Sequence, residues 1–492
     1  MAPLDFAVIL AYFALTVGAG LWVSRHQTTA GDYFLGARNL PAWAILFSIV
    51  ATETSALTVI SVPGLGARGN LTFLQLTFGY LIGRIGVAIW LLPGYFSGSQ
   101  DTAYQRIEKR FGSTSRRLVS VVFLVTRLLG DGVRIFAGSI PLALLTGWSI
   151  QLSILLMGGL TLLYTLVGGL KAVVWADVIQ LAVYVAGGMA ALGIAWHLAG
   201  GVGTSLGLAA AAGKLQVLNP LISFTQTYTL LGGLVGGALL SAASHGTDQL
   251  IVQRLLATRS LRDAQFAVIG SGVVIILQFL LFLLVGSAIW SAGLAPDGMK
   301  ADEIFPRFIL GNLPAGLAGL LVAGILAAAM STISSSINAL ASSMTHDLYA
   351  NWTGVTDPVR LYRVGRIFSA VWGLALIGAA FFFERLGHAS DTPVVVLALS
   401  IASITYGALL GTYVLGGRVA RARGRDAVGA VLFSVSVMLV VVFAARLAAF
   451  PAFGWLATVG TLAWPWYVPL GTALTIAAGA VLASFPHPEP AS

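Results

Sequence analysis

Long apolar runs, repeated at close intervals, are the feature that most limits what this chain can become. A helix needs about 20 apolar residues to cross a hydrocarbon layer of about 30 Å. The sequence offers thirteen stretches that meet or approach that requirement, near 4–23, 42–66, 70–97, 117–146, 150–170, 173–199, 228–253, 264–294, 314–346, 361–384, 391–417, 427–450 and 463–485. Only 9% of the residues are charged, against roughly 25% in soluble proteins. In lipid a backbone must satisfy its own hydrogen bonds, so the expectation is an all-α polytopic membrane protein with 13 transmembrane helices. The first stretch, "MAPLDFAVILAYFALTVGAGLWVSR", has an acidic rather than basic start and an apolar run near 20 residues, so it reads as a retained helix and not a signal peptide. The chain has no cysteine, which excludes disulfides, thiolate nucleophiles and Cys metal sites.

Loop charge sets an orientation. Connections after odd-numbered stretches hold 18 of the 27 Lys and Arg, from Arg25 and Arg38 through Arg106, Lys171 and Arg254 to Arg425; the opposite face holds 6, and Arg84, Arg127 and Arg134 fall inside stretches. This bias predicts an N-terminus outside, a C-terminus in the cytoplasm and residence in the plasma (inner) membrane. It also accounts for the net charge of +9 without a nucleic-acid partner, since no compact basic domain is present. The longest loops, about 200–227 and 295–313, are too small for a catalytic domain. No P-loop and no H-E-x-x-H pattern occurs.

Polar residues at membrane depth are costly and need reasons. Glu53 lies in "FSIVATETSALTVISVPGLG", where Thr52, Glu53, Thr54 and Ser55 and then Pro63 and Gly64 interrupt an apolar run. That composition predicts a discontinuous helix whose unwound carbonyls face a cavity; Glu53 is either a functional carboxylate or one satisfied by neighbouring hydroxyls. Asp131 has Arg127 and Arg134 at one-turn spacing, which suits a buried ion pair or a substrate contact. Asp177, in "GGLKAVVWADVIQ", enters a helix without an adjacent basic residue; it is a cation-ligand candidate or a helix cap. Asp248, in "HGTDQLIVQRLLATRSLRDAQ", precedes Arg254 and Arg262 and reads as an anchor at the inner end of its helix.

The segment "AAAMSTISSSIN" places five hydroxyls in six residues. At about 100° per residue, Ala328, Ser331, Thr332 and Ser335 share one arc, with Ser334 at its edge. Such an arc is either an oxygen-lined groove for a hard cation or a set of hydroxyls bonded to carbonyls one turn back.

Four motifs in order, "DYFLGARNLPAW", "GGLKAVVWADVIQ", "GTDQLIVQRLLATRSLRDAQ" and "LPAGLAGLLVAGILAAAMSTISSSINALASSMTHDLY", resemble the sodium/solute symporter family, whose members carry sugars, proline, sialic acid, vitamins, iodide and monocarboxylates. The resemblance implies a LeuT-type 5+5 inverted-repeat core. Residues 1–41 would hold the first span and a cytoplasmic loop, 42–199 the first repeat, 200–227 an extracellular loop, 228–417 the second repeat and 418–492 two additional spans. Each repeat would open with a broken helix, at 51–55 and at the glycines of 232–237.

The resemblance also implies one or two coupling Na+ ions and no organic cofactor. The first sodium would take the carbonyls of Ala51, Thr54 and Ala328 and the hydroxyls of Ser331 and Thr332. The second would take Asp177, Ser331, Ser334 and Ser335. Glu53 stands where sugar carriers have Asn and proline carriers Asp, and Thr58 where sugar carriers have Gln. By span and depth, Ser55, Gln75, Phe78, Arg134 and Tyr406 are further substrate-site candidates. A carboxylate at the break points to an amino-acid-like or cationic head group; if Glu53 pairs internally, the solute is an anion. The substrate class stays open among amino-acid-like solutes, organic acids and sugars, with the lipid bilayer as the other partner and no obligate protein partner.

A sodium-driven symporter is therefore expected, and not an enzyme. A channel or a transporter-like sensor is the alternative; a sensor of this family would carry an appended signalling domain, and the sequence ends soon after the thirteenth stretch.

Overall fold

The structure, a computed structural model, describes residues 1–23, 27–98, 100–386 and 394–485, and the described residues form helices and no strands. Arg25 of the loop-charge argument and residues 391–393 of the eleventh stretch lie outside them. The main helices are α1 (Pro3–Val23), α2 (Ala30–Leu35), α3 (Ala42–Glu53), α4 (Ala56–Arg68), α5 (Leu74–Gly86), α6 (Gln105–Phe111), α7 (Ser113–Thr146), α8 (Ile150–Leu198), α9 (Gly237–Gly246), α10 (Gln249–Leu256), α11 (Leu261–Ser291), α12 (Ala301–Asn312), α13 (Leu317–Ser343), α14 (Pro358–Leu386), α15 (Val394–Arg418), α16 (Gly424–Leu447) and α17 (Tyr467–Leu482). Among the described residues, eight helices are long and apolar enough to cross a membrane, or nine if the bent pair α3–α4 is one span.

The first expected break is present. α3 and α4 meet at a bend of 68° across Thr54 and Ser55. Thr54 leaves the helical region (φ −82°, ψ 107°), and its hydroxyl folds back onto the Val50 carbonyl at 2.8 Å. Such back-bonding by a short hydroxyl side chain competes with the helix ladder. Ser55 then starts α4 in extended conformation, with the Thr58 hydroxyl 3.4 Å from its N–H. The Gly residues beyond the break let α4 lie flush on its neighbours. A Cβ at Gly64 would run into the Ala301 carbonyl, and one at Gly286 of α11 into the Pro63 carbonyl.

The second break is not at 232–237. Those glycines form a π turn over Gly232–Gly236 that runs without interruption into α9. Their small size serves packing: a Cβ on Gly233 would meet the Gln75 backbone, and one on Gly237 the Leu76 carbonyl of α5. The helix ends at Gly246 instead. Thr247 (φ −133°) and Asp248 (ψ 127°) interrupt it, and Asp248 caps α10 by accepting the Leu250 N–H at 2.9 Å.

α8 has 49 residues with a single non-helical position, Gly169 (φ 52°, ψ −156°). A straight helix of that length would reach about 73 Å. A side chain at 169 would strike the Tyr33 carbonyl of α2, and the Tyr33 hydroxyl holds the Thr165 carbonyl at 3.3 Å. α13 lies at the centre, with 89% of its most apolar window buried. Asp5 of α1 fixes its start by accepting the N–H groups of Gly316 (2.7 Å) and Gly319 (2.9 Å). This meets the need of a helix N-terminus for an acceptor.

Candidate functional site

The break between α3 and α4 faces the hydroxyl-rich face of α13. The last carbonyls of a helix have no intrahelical donor, and ending α3 at Glu53 exposes those of Ala51, Thr52 and Glu53. The Thr332 hydroxyl reaches the Thr52 carbonyl at 3.5 Å and its own helix's Ala328 carbonyl at 3.2 Å. Ser331 turns the other way and donates to Asp177 Oδ1 at 2.6 Å. Ala51, Thr54, Ala328 and Ser331 are fully buried and Thr332 nearly so. Thr54 also receives the Gln278 amide at 2.7 Å, and Gln278 in turn accepts from Tyr184 at 3.2 Å. At this break α3 and α13 meet through the Thr332 hydroxyl and the Thr52 carbonyl, oxygens of the type a hard monovalent cation takes, while the Ser331 hydroxyl is directed to Asp177.

Asp177 is not without a basic partner. Arg254 of α10 reaches it with Nη2 3.2 Å from Oδ2, and both side chains are at most 1% exposed. Asp177 Oδ2 also accepts from Ser48 at 2.5 Å and Thr52 at 3.4 Å. Arg254 donates further to Ser48 (2.9 Å), to the Leu250 carbonyl (2.7 Å) and to Ser335. The Arg254 guanidinium thus touches two of the four residues expected to hold a second cation, Asp177 and Ser335. Sequence spacing does not show this pair, because Arg254 lies 77 residues away, among the loop charges that follow the seventh stretch. Ser334 bonds the Ser331 carbonyl at 3.0 Å, and its contact with Asp177 is not formed.

Glu53 is also paired. Arg84 of α5, fully buried, ion-pairs with its Oε2 and donates to Ser271 at 2.7 Å and Ser241 at 3.4 Å. His245 Nε2 of α9 lies 3.6 Å from the same carboxylate oxygen. Glu53 keeps 21% of its side chain exposed at the break. Ser55 and Thr58 form the start of α4 beside it.

The other substrate-site candidates scatter. Gln75 is fully buried: it accepts the Asn219 N–H at 2.8 Å and donates to the Thr72 carbonyl at 3.0 Å and the Tyr228 carbonyl at 3.4 Å, stapling the 214–231 segment to α5. Phe78 is half-buried against the core. Arg134 and Tyr406 line a separate cavity of about 20 Å³ with Arg127, Asp131 and Asp248, room for about one water. Asp131 pairs with Arg134 (2.9 Å) and Arg127 (3.5 Å) as the spacing predicts. Asp248 is not an anchor at the inner end; it ion-pairs with Arg127 and accepts from Tyr406 at 2.8 Å deep in the protein. Its place as a mid-helix cap draws it inward, where a charge needs a partner.

This arrangement has known counterparts. The sodium:solute symporter family profile matches residues 33–422. The chain belongs to that family. A sodium/sialic acid symporter from Aliivibrio fischeri is 26% identical over 89% of this chain and 87% of its own length. The human sodium/iodide cotransporter is 30% identical over 84% of this chain and 65% of its own. The solved outward-open structure of a Na+-coupled sialic acid symporter superposes with a TM-score of 0.86 at 26% identity, covering 99% of both chains. These relatives are transporters and not enzymes. The symporter is accordingly an integral multi-pass membrane protein that couples sodium to the movement of a small solute.

Three residues of the symporter's interior were not legible as site members: Arg84, Arg254 and His245. Two were visible as charges, Arg84 inside an apolar stretch and Arg254 next to one, and neither could be matched to an acid without the fold. His245 had a fainter signal, a lone imidazole two residues before the Thr247–Asp248 break.

Proposed function

We propose that the protein is a thirteen-span, sodium-driven importer of a small organic anion that works by alternating access of a 5+5 inverted-repeat core. Its N-terminus lies outside and its C-terminus in the cytoplasm, in the inner membrane of its cell. The repeats are 42–199 and 228–417, opened by the broken helices α3–α4 and α9–α10. The flanking units are 1–41, 200–227 and 418–492. The coupling sodium takes the carbonyls of Ala51, Thr54 and Ala328 and the hydroxyls of Ser331 and Thr332. The observation that carries this reading is the helix end at Glu53, where the Thr332 hydroxyl of α13 lies 3.5 Å from the freed Thr52 carbonyl.

A second sodium on Asp177, Ser331, Ser334 and Ser335 would sit beside Arg254, which already pairs with Asp177 Oδ2 and donates to Ser335, so repulsion between the two cations favours a state with that contact open. One sodium is assigned to the state described here, and a second only to a state with that pair open.

The anionic head group follows from charge. Glu53 is neutralised by Arg84, so the break presents no free carboxylate to attract a cation. The N-terminus of α4, carrying Ser55 and Thr58, presents the positive end of a 13-residue helix there. This favours an organic acid over an amino-acid-like cation or a sugar. The test is uptake by proteoliposomes under an inward sodium gradient across organic acids, amino acids and sugars. Saturable accumulation of an acid with sodium, lost with choline and lost in Ser331→Ala/Thr332→Ala, is expected. Flux that neither saturates nor needs sodium would instead make the protein a channel.

A further inference from the structure

The two helix breaks are joined by a contact between an imidazole and a carboxylate. His245 sits at the end of α9, 2% exposed, and its Nε2 has no hydrogen-bond partner. That nitrogen is aimed at Glu53 Oε2, 3.6 Å away at the end of α3. The other ring nitrogen, Nδ1, is 2.8 Å from the Ser244 hydroxyl, which is itself placed to donate to the Ser241 carbonyl at 3.3 Å. When Ser244 donates to that carbonyl, Nδ1 must carry the ring proton and Nε2 presents a lone pair to a carboxylate. Two acceptors then face each other in a buried space, an arrangement that costs free energy. A proton added to Nε2 turns the pair into a charge-assisted hydrogen bond between the breaks.

We infer that His245 Nε2 is a proton-binding site between the two helix breaks, and that the proton it takes competes with the coupling sodium. The inference rests on the sodium site proposed above. The charges around His245 set the sign. α3 contributes Glu53. α5 contributes Arg84, which already pairs with Glu53, and the phenol of Tyr80. Ser241 accepts from Arg84 Nε and Ser271 from its Nη1. Tyr95 bonds the neighbouring Gly246 carbonyl at 2.7 Å, and Asp248 beyond it is held by Arg127 and Tyr406. The Arg84–Glu53–His245 group is therefore neutral with an uncharged imidazole and carries +1 with a charged one. The sodium ligands Ala51 and Thr54 flank Glu53 on the same helix end, so the extra charge opposes sodium. Linkage makes the effect mutual: sodium must expel the proton as strongly as the proton weakens sodium. Histidine is the side chain suited to such exchange between about pH 5 and 8.

The experiment is binding of radiolabelled sodium to the purified full-length protein at constant ionic strength across that pH range. Half-saturation is expected to need at least about threefold more sodium at the acid end, and His245→Gln should flatten the dependence. A second measurement needs no variant: adding sodium to weakly buffered wild-type protein near neutral pH should release protons to an indicator dye, and choline should not. Sodium binding with the same affinity at every pH and no proton release would overturn the proton site while leaving the sodium site standing. A pH dependence unchanged in His245→Gln would overturn it as well. Absence of sodium binding at every pH would overturn the sodium site, and this inference with it.

Discussion

At the scale of single residues, the interior is organised by acids that each meet an arginine from another helix: Glu53 with Arg84, Asp177 with Arg254, Asp248 with Arg127. A buried charge left alone costs far more than its pair contributes, and removing one partner of such a pair typically costs about 3–5 kcal/mol. Arg254→Gln and Asp177→Asn should therefore each lower the melting temperature sharply, and the double variant should recover most of the loss. Melting curves of the four proteins check this; additive losses in the double variant would show that the two residues do not act as a pair. The acids were legible from the sequence because a carboxylate in an apolar run stands out. Their partners were not, since Arg84 and Arg254 approach through the fold from 31 and 77 residues away. The hydroxyls of α13 were legible as a face: Thr332, Ser334 and Ser335 bond carbonyls about one turn back, while Ser331 donates to Asp177 and Thr332 also reaches the Thr52 carbonyl.

Among elements, the broken helices and the glycine contacts around them position the site. The α3–α4 break could be read because polar residues interrupt an otherwise apolar run. The α9–α10 break could not, because glycine serves close packing as readily as interruption, and "GGLVGG" is used for packing against α5. Gly286 offers a clean test of how tightly α4 is held. Its Cβ would overlap the Pro63 carbonyl, whereas a Cβ at Gly193 of α8 meets nothing within 4 Å. Gly286→Ala should destabilise by about 1–3 kcal/mol, the usual cost of overpacking, and should weaken sodium binding as α4 is pushed off its seat. Gly193→Ala should be neutral or slightly stabilising through helix propensity. Thermal unfolding with and without sodium separates the two; equal behaviour would mean that α4 is free to shift.

For the whole molecule, helical class and membrane residence were legible from apolar spacing alone, because lipid leaves a chain few alternatives. How the thirteen stretches pack was not, since apolar surfaces carry little information about which helix they meet. The proposed orientation has a direct check. The chain has no cysteine, so single cysteines introduced at Lys300 and at Arg421 can be labelled in intact cells with an impermeant maleimide; only the first should react, and the reverse pattern would invert the topology. The central claim is that sodium binds between the break of α3–α4 and the Ser331–Thr332 turn of α13. It is tested most directly by sodium-dependent thermal stability of purified protein, with choline as the matched salt. Ligand binding stabilises by RT ln(1 + [L]/Kd), about 2.7 kcal/mol at 100 times Kd. Wild-type protein should be stabilised by sodium over choline along that curve, and folded Ser331→Ala/Thr332→Ala protein should show no difference between the two salts; a double variant stabilised by sodium as strongly as the wild type would contradict the account.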